Sequence, residues 1–283
     1  MPPIRENPAR DLLDFYLEAG VDALVGETPV DRFALPDIPP SDRGRSASDA
    51  SRVAVDATAN DPTRDRLRRS EPPLAGEGKI LAAPDEAAMA AREAAKSAKT
   101  LDELRAILDK FDGCALKATA TQLVFADGNP KARLMLVGEA PGRDEDIEGL
   151  PFVGRSGKLL DRMLAAIGLD RTNVYIANVV PWRPPGNRTP TPQETQICLP
   201  FILRQIELVD PDVLVCMGNP SAQTLLGIKE GITKTRGRWF SFDTGKREIR
   251  AMPTFHPAFL LRSPLQKRFA WRDFLAIKKA LAG

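Results

Sequence analysis

A chain of 283 residues with a formal charge of +2, 43% hydrophobic and 28% charged residues has the makeup of a soluble globular protein, and no global field draws it onto a polyanion. No stretch approaches the roughly 20 apolar residues that a membrane-spanning helix needs, and the MPPIRENPARDLL start lacks the apolar core of a secretory signal. Three cysteines, Cys114, Cys198 and Cys216, with no CxxC pair, argue against a disulfide framework, so the expected compartment is a reducing cytoplasm.

In chain order, PARDLLDFYLEA at 8–19 sets Leu12, Leu13, Phe15, Tyr16 and Ala19 near one helical face, with Gly20 as a stop. From 28 to 78 Pro, Asp, Arg and Ser dominate without apolar periodicity, the composition of a disordered linker. An Ala-rich helix is predicted over 84–96, and Thr100 to Glu103 form a capping box that starts a second helix ending near Phe111. ALKATATQLVFADGNP alternates and then ends in the turn signal Asp127-Gly128-Asn129-Pro130, which reads as an edge hairpin leading into a core. Beyond it, strand-like runs at 132–138, 174–180, 212–218 and 248–255 alternate with helical patterns at 156–167, 192–208, 220–226 and 265–281. Such alternation implies an α/β fold whose parallel sheet is covered on both faces. The expected organisation is an N-terminal extension over 1–95 and one domain over 96–283.

Ligands of such sheets bind at the carboxyl ends of the strands. Glu139 in GEAPG, Asn178 and His256, the only histidine, all fall on that edge. GEAPG is a tight turn whose backbone N–H groups can approach a ligand closely, and Asp144, Glu145 and Asp146 follow in what reads as one loop. Taken alone, a short Gly/Pro turn of this kind reads first as a strand-to-helix turn with solvated acids. Phe152, on the Gly-flanked PFVG loop, is free to stack on a planar ring. Two basic clusters, seven Lys or Arg against three acids over 229–250 and six against one over 262–279, suit a phosphate backbone or, equally, solvated faces.

Four segments, GEAPGRDEDIEGLPFVGRSGKLL, YIANVVPWRPPGNRTPTPQE, PDVLVCMGNPSAQTLLG and FHPAFLLR, together resemble the uracil-DNA glycosylase superfamily, most closely its family 4 enzymes. The resemblance runs from about Cys114 to the C-terminus. It implies a three-layer α/β/α sandwich with a central four-stranded parallel sheet, a monomer, and hydrolysis of the N-glycosidic bond of deoxyuridine in single- or double-stranded DNA. A uracil in a duplex must first be flipped into a pocket, at a cost of a few kcal/mol. By the resemblance, Ala140, Pro141 and Gly142 form the pocket wall with Glu139, and Phe152 stacks on the base. Asn178 pairs with N3–H and O4, a pattern that cytosine reverses. His256 donates to the O2 charge of the leaving uracil, and Glu139 positions or activates water against the sugar. Glu145 crowds the 5-position against thymine, with Asp144 and Asp146 as weaker candidates for positioning water. Leu260 or Leu261 fills the vacated stack while Arg262 holds a phosphate, unless those leucines pack under the final helix. The 184–188 loop and the Ser263-Pro264 turn are candidate backbone clamps.

Family 4 enzymes carry a four-iron four-sulfur cluster on four cysteines. Only Cys114 and Cys198 match, since Phe111 and Trp182 stand at the other two positions, and two thiolates cannot satisfy such a cluster. The expectation is therefore no metal, with Phe111 and Trp182 filling the space. A related branch captures uracil covalently through a histidine in the loop after the second strand, but VVPWRPPGNRTP has none, so turnover is expected. Two other classes compete with the enzyme. One is a uracil-DNA binding module with little or no turnover, against which the intact Glu139, Phe152, Asn178 and His256 argue. The other is a nucleotide-binding α/β protein, whose acidic loop would repel phosphate.

Overall fold

The computed structural model describes residues 84–282; the helix expected over 8–19 and the linker over 28–78 lie outside them. The chain enters with α1 (Pro84–Ser97), whose Ala87, Ala88, Ala91 and Ala95 are all buried. Small side chains at helical spacing let this helix lie close against a neighbour, which is α5 (Pro192–Val209). The domain boundary expected at residue 95 thus falls inside a packed helix. Helix α2 (Leu101–Lys110) follows, with Thr100 Oγ1 accepting from the Glu103 backbone N–H at 3.2 Å and the Glu103 carboxylate accepting from Lys99 N–H at 2.6 Å.

Six strands form one sheet in the order β1-β3-β2-β4-β6-β5. The four expected parallel strands are its centre: β2 (Leu134–Gly138), β3 (Val174–Asn178), β4 (Val213–Met217) and β6 (Glu248–Thr254). Two antiparallel edges enlarge the sheet beyond those four. They are β1 (Asp127–Gly128), at the expected turn signal, and β5 (Phe240–Asp243), which pairs with β6 across the turn at 244–247. The FSFD run of β5 is short and largely exposed, so it carries little apolar pattern to read.

Every residue of β2, β3 and β4 is buried, as strands covered on both faces require. Alternate side chains go to opposite layers. Met135, Val137, Tyr175, Ala177, Leu214 and Cys216 join the core formed with α1, α2, α5 and α6 (Asn219–Leu226). Leu134, Leu136, Ile176, Val213 and Val215 join the other, built with α4 (Arg155–Ala165) and the final helix, α9 (Lys267–Ala282). Three short helices were not visible in the apolar pattern: α3 (Arg143–Glu148), α7 (Ile232–Thr235) and α8 (Pro257–Arg262). Among the described residues, no helix is long and apolar enough to cross a membrane.

Candidate active site

Parallel pairing sets Gly138 beside Asn178, and the pairing runs on beyond the strands, with Val179 N–H donating to Gly138 O and Val180 N–H to Glu139 O, both at 3.0 Å. Glu139 is thereby fixed where β2 and β3 end. On the other side Gly218 N–H donates to Thr254 O at 2.8 Å, which draws the β6 exit and its His256 toward the same edge. Between them lies a cleft of about 580 Å³, lined by Glu139, Ala140, Pro141, Gly142, Glu145, Phe152, Asn178, His256 and Arg262. Nine of the thirteen residues expected at the site therefore meet in one cavity; Asp144, Asp146, Leu260 and Leu261 do not line it.

The floor of this cleft depends on Gly138. A Cβ there would stand 2.3 Å from Asn178 Oδ1 and 2.8 Å from Phe152 Cζ, so both side chains rest on the space a side chain would fill. Asn178 is 5% exposed and lines the cleft, to which its side-chain amide can offer one donor and one acceptor.

His256 caps α8: its Nδ1 accepts from Ala258 N–H at 3.1 Å. An accepting Nδ1 puts the proton of the neutral ring on Nε2. Burial, with help from the nearby positive charge of Arg262, pushes its pKa down to about 4, so the ring is a neutral N–H donor at ordinary pH. It lies 5.2 Å from the Phe152 ring at an interplanar angle of 26°, a packing that nothing in the sequence announced. Burial moves Glu139 the other way, raising its pKa, with partial relief from the Thr189 hydroxyl; its Oε1 is buried without a hydrogen-bond partner among the described residues.

The acids after GEAPG lie on the helix α3 rather than in a loop, and three consecutive helical residues cannot face one way. Glu145 turns inward, accepting from Gly142 N–H at 3.1 Å, Val153 N–H at 3.2 Å and Gly154 N–H at 3.3 Å. It lines the cleft and ties the GEAPG turn to the Phe152 loop. Asp146, 2% exposed, turns away and accepts from Thr121 N–H and Thr121 Oγ1, both at 2.8 Å. Its oxygens hold the 119–123 segment and lie away from the cleft in which it was expected to position water. Asp144 is exposed outside the cleft, its Oδ2 only 2.7 Å from where a Gly154 side chain would begin.

The two leucines of the apolar knuckle after His256 part company. Leu260 is 1% exposed and packs with Phe255 and Ala270, the alternative in which it lies under the final helix. Leu261 stays exposed at 36%, and Leu265, on the 3₁₀ turn Pro264–Gln266, is 83% exposed. Much of the first basic cluster is taken up internally: Arg236 pairs with the buried Asp273, and Arg247 with Asp210 at 2.9 Å and Asp212 at 3.0 Å. The clamp loop is fastened to α5, where Arg188 grips Glu194 through two bonds of 2.8 and 2.7 Å. Glu194 also closes a capping box with Thr191.

Where the resemblance would put a cluster, the Cys114 and Cys198 sulfurs lie 3.9 Å apart, both buried. Cys198 donates to Cys114, which lowers the Cys114 pKa and, with burial, holds Cys198 well above the usual thiol range. Trp182 is buried in the same core, and Phe111 packs edge-on against Phe201 with ring centres 5.0 Å apart. Among the described residues, no group of three or more His, Cys, Asp or Glu is arranged to hold a metal ion.

An amide, a neutral imidazole, a carboxylate and an aromatic ring at the carboxyl edge of a doubly covered sheet make a pocket for a flat ring with paired donors and acceptors. Residues 125–275 match the uracil DNA glycosylase superfamily, and the chain belongs to it. It is 39% identical over 183 residues to the type-4 uracil-DNA glycosylase of Archaeoglobus fulgidus, covering 63% of this chain and 92% of that protein. With the type-4 uracil-DNA glycosylase of Thermotoga maritima it shares 45% over 169 residues, covering 58% and 86%. A DNA polymerase of Bacillus phage SP01 is 32% identical over 157 residues, 55% of this chain but 16% of that protein.

Arg171 donates to the Pro151 and Phe152 carbonyls behind the cleft and pairs with Asp127 and Asp161, a network without a signal in the sequence. Each is a lone charged residue beside a turn or on a helix, indistinguishable from a solvated one until the fold brings them together.

Proposed function

We propose that this protein is a monofunctional uracil-DNA glycosylase that flips deoxyuridine out of DNA, hydrolyses its N-glycosidic bond and leaves an abasic site. The observation that carries the reading is the pair of hydrogen-bonding groups in one cleft: the Asn178 amide and the neutral imidazole of His256. The Asn178 amide offers an acceptor for N3–H and a donor for O4, whereas cytosine presents the reverse. Phe152 gives the base an apolar face. As the C–N bond lengthens, charge develops on uracil O2, and the His256 Nε2–H donates to it. A donor already oriented by its Ala258 bond needs no reorganisation at that moment, and one such donor is typically worth 10²–10³ in rate.

Glu139 faces the sugar side, where positive charge accumulates and water must arrive. Glu139 lines the cleft, and its carboxylate is the group that would position or activate that water. Glu145 shapes the wall near the uracil 5-position through its three backbone bonds. Arg262, at the mouth, is placed for a phosphate, and the exposed Leu261 and Leu265 beside it, rather than Leu260, are the candidates to enter the vacated stack. The chain is read as a monomer working without an iron–sulfur cluster: two thiols and two aromatic rings supply packing where four thiolates would be needed.

The test is an oligonucleotide carrying uracil, cytosine or thymine at one position, treated with protein and then with alkali. Breaks at uracil alone are expected; equal breaks at cytosine would refute the role given to Asn178.

A further inference from the structure

Phe152 is one of three described non-glycine residues with a left-handed backbone, at φ 54°. An L-residue holds that conformation only when its surroundings impose it. Here two neighbours act on the Phe152 carbonyl. Gly157, in the first turns of α4, sits so close that a Cβ on it would lie 1.6 Å from Phe152 O. Arg171, in the loop before β3, donates to the same oxygen through Nη2.

Arg171 is itself fully engaged. Nη1 donates to Pro151 O at 3.1 Å and to Asp127 Oδ2 at 2.6 Å, and Nε donates to Asp161 Oδ1 at 2.8 Å. Asp127 belongs to the edge strand β1 and Asp161 to α4, so one guanidinium fastens two consecutive carbonyls of the Phe152 loop to the sheet and to a helix. Its planar fork fixes direction as well as distance, which an ammonium does not. On its pocket side the Phe152 ring meets His256 and the space above Gly138.

We propose that Arg171, oriented by Asp127 and Asp161, is the positioning residue that holds Phe152 in its left-handed conformation and thereby sets the aromatic wall and the His256 ring against the substrate base. Arg171 lines no part of the cleft. Its effect passes through the Phe152 carbonyl. The step from ring position to activity rests on the uracil-pocket reading, whereas the effect on the ring itself does not.

Two measurements on the full chain test it. First, the single histidine gives one imidazole resonance set, sensitive to the ring stacked on it and readable without substrate. Arg171→Met should move it in the same direction as Phe152→Leu, and an unmoved resonance overturns the proposal whether or not the protein cuts uracil DNA. Second, Arg171→Met should lower kcat/KM on uracil DNA by on the order of 10²-fold, the effect of misplacing a contact group by about 1 Å, with Arg171→Lys only partly restored. In a Phe152→Ala background the same change should cost less than about threefold, because coupled residues are non-additive. Equal losses in both backgrounds would mean that Arg171 acts on the fold alone and would overturn the proposal. If Arg171→Met does not fold, Asp127→Asn and Asp161→Asn, which loosen the fork and keep the arginine, are judged by the same two criteria.

Discussion

Gly138→Ala adds one methyl group at the end of β2, on a backbone that alanine tolerates without strain. Its Cβ would meet Asn178 Oδ1 at 2.3 Å and two Phe152 ring atoms at 2.8 and 2.9 Å, where ordinary contacts begin at 3.4 Å. Asn178 must therefore retreat by about 1 Å and the Phe152 ring by about half that. Neither move is free. Asn178 sits at the end of a strand buried on both faces, and Phe152 is held between Gly157 and the His256 ring. Overpacking of this kind costs roughly 1–3 kcal/mol of stability, which a domain of this size survives. Displacing a base-reading amide by about 1 Å should cost on the order of 10²-fold in kcat/KM, about 2.7 kcal/mol of transition-state stabilisation. The assay is single-turnover cleavage of a uracil oligonucleotide, beside a thermal unfolding curve. A Gly138→Ala protein that folds and keeps wild-type kcat/KM would refute the claim that Asn178 and Phe152 form the base contact.

Other outcomes follow from the same geometry. The single imidazole should titrate near pH 4 by NMR, because burial favours its neutral form. The unfolded chain takes that proton near 6.5, so the stability His256 contributes is complete above that pH and is lost as pH falls from 6.5 toward 4, with Glu139, raised by burial, acting in the opposite sense. A midpoint near 6.5 in the folded protein would contradict the neutral-donor role. Asp146→Ala should lower Tm by several degrees, since unpairing the Thr121 donors costs roughly 1–3 kcal/mol, and should leave kcat/KM within about twofold; a loss of 10²-fold would restore it to the catalytic set. Leu261→Ala combined with Leu265→Ala should slow excision from duplex DNA while sparing single strands, which have no stack to fill; equal losses on both would dismiss the wedge. Protein purified without oxygen should carry no iron, and bound iron with sulfur-to-iron absorbance would overturn the packing role of Phe111 and Trp182.

The central sheet was legible because three fully buried strands, with the mostly buried β6 beside them, leave apolar runs, and parallel pairing then obliges their carboxyl ends to share an edge. That is why Glu139, Asn178 and His256 were placed together from residue types alone. Helix α3 was missed because RDEDIE has no apolar face to repeat, and with it went the directions of its acids: periodicity could not tell that Glu145 faces the cleft and Asp146 the 119–123 segment. Leu260 and Leu261 are neighbours with the same side chain, and only the rotation of α8 decides which is buried. The Arg171 network was invisible for a further reason. Its four acceptors are two backbone carbonyls and two carboxylates from an edge strand and a helix, and nothing local to Arg171 encodes that meeting.

The most direct measurement is uracil excision by the wild-type chain, His256→Ala and Asn178→Ala on one uracil oligonucleotide, read as alkali-labile breaks. Wild type should cleave at uracil with turnover, His256→Ala should be slower by 10²–10³, and Asn178→Ala should lose much of its rate and its discrimination against cytosine. A wild-type protein that leaves the uracil strand intact would contradict the account.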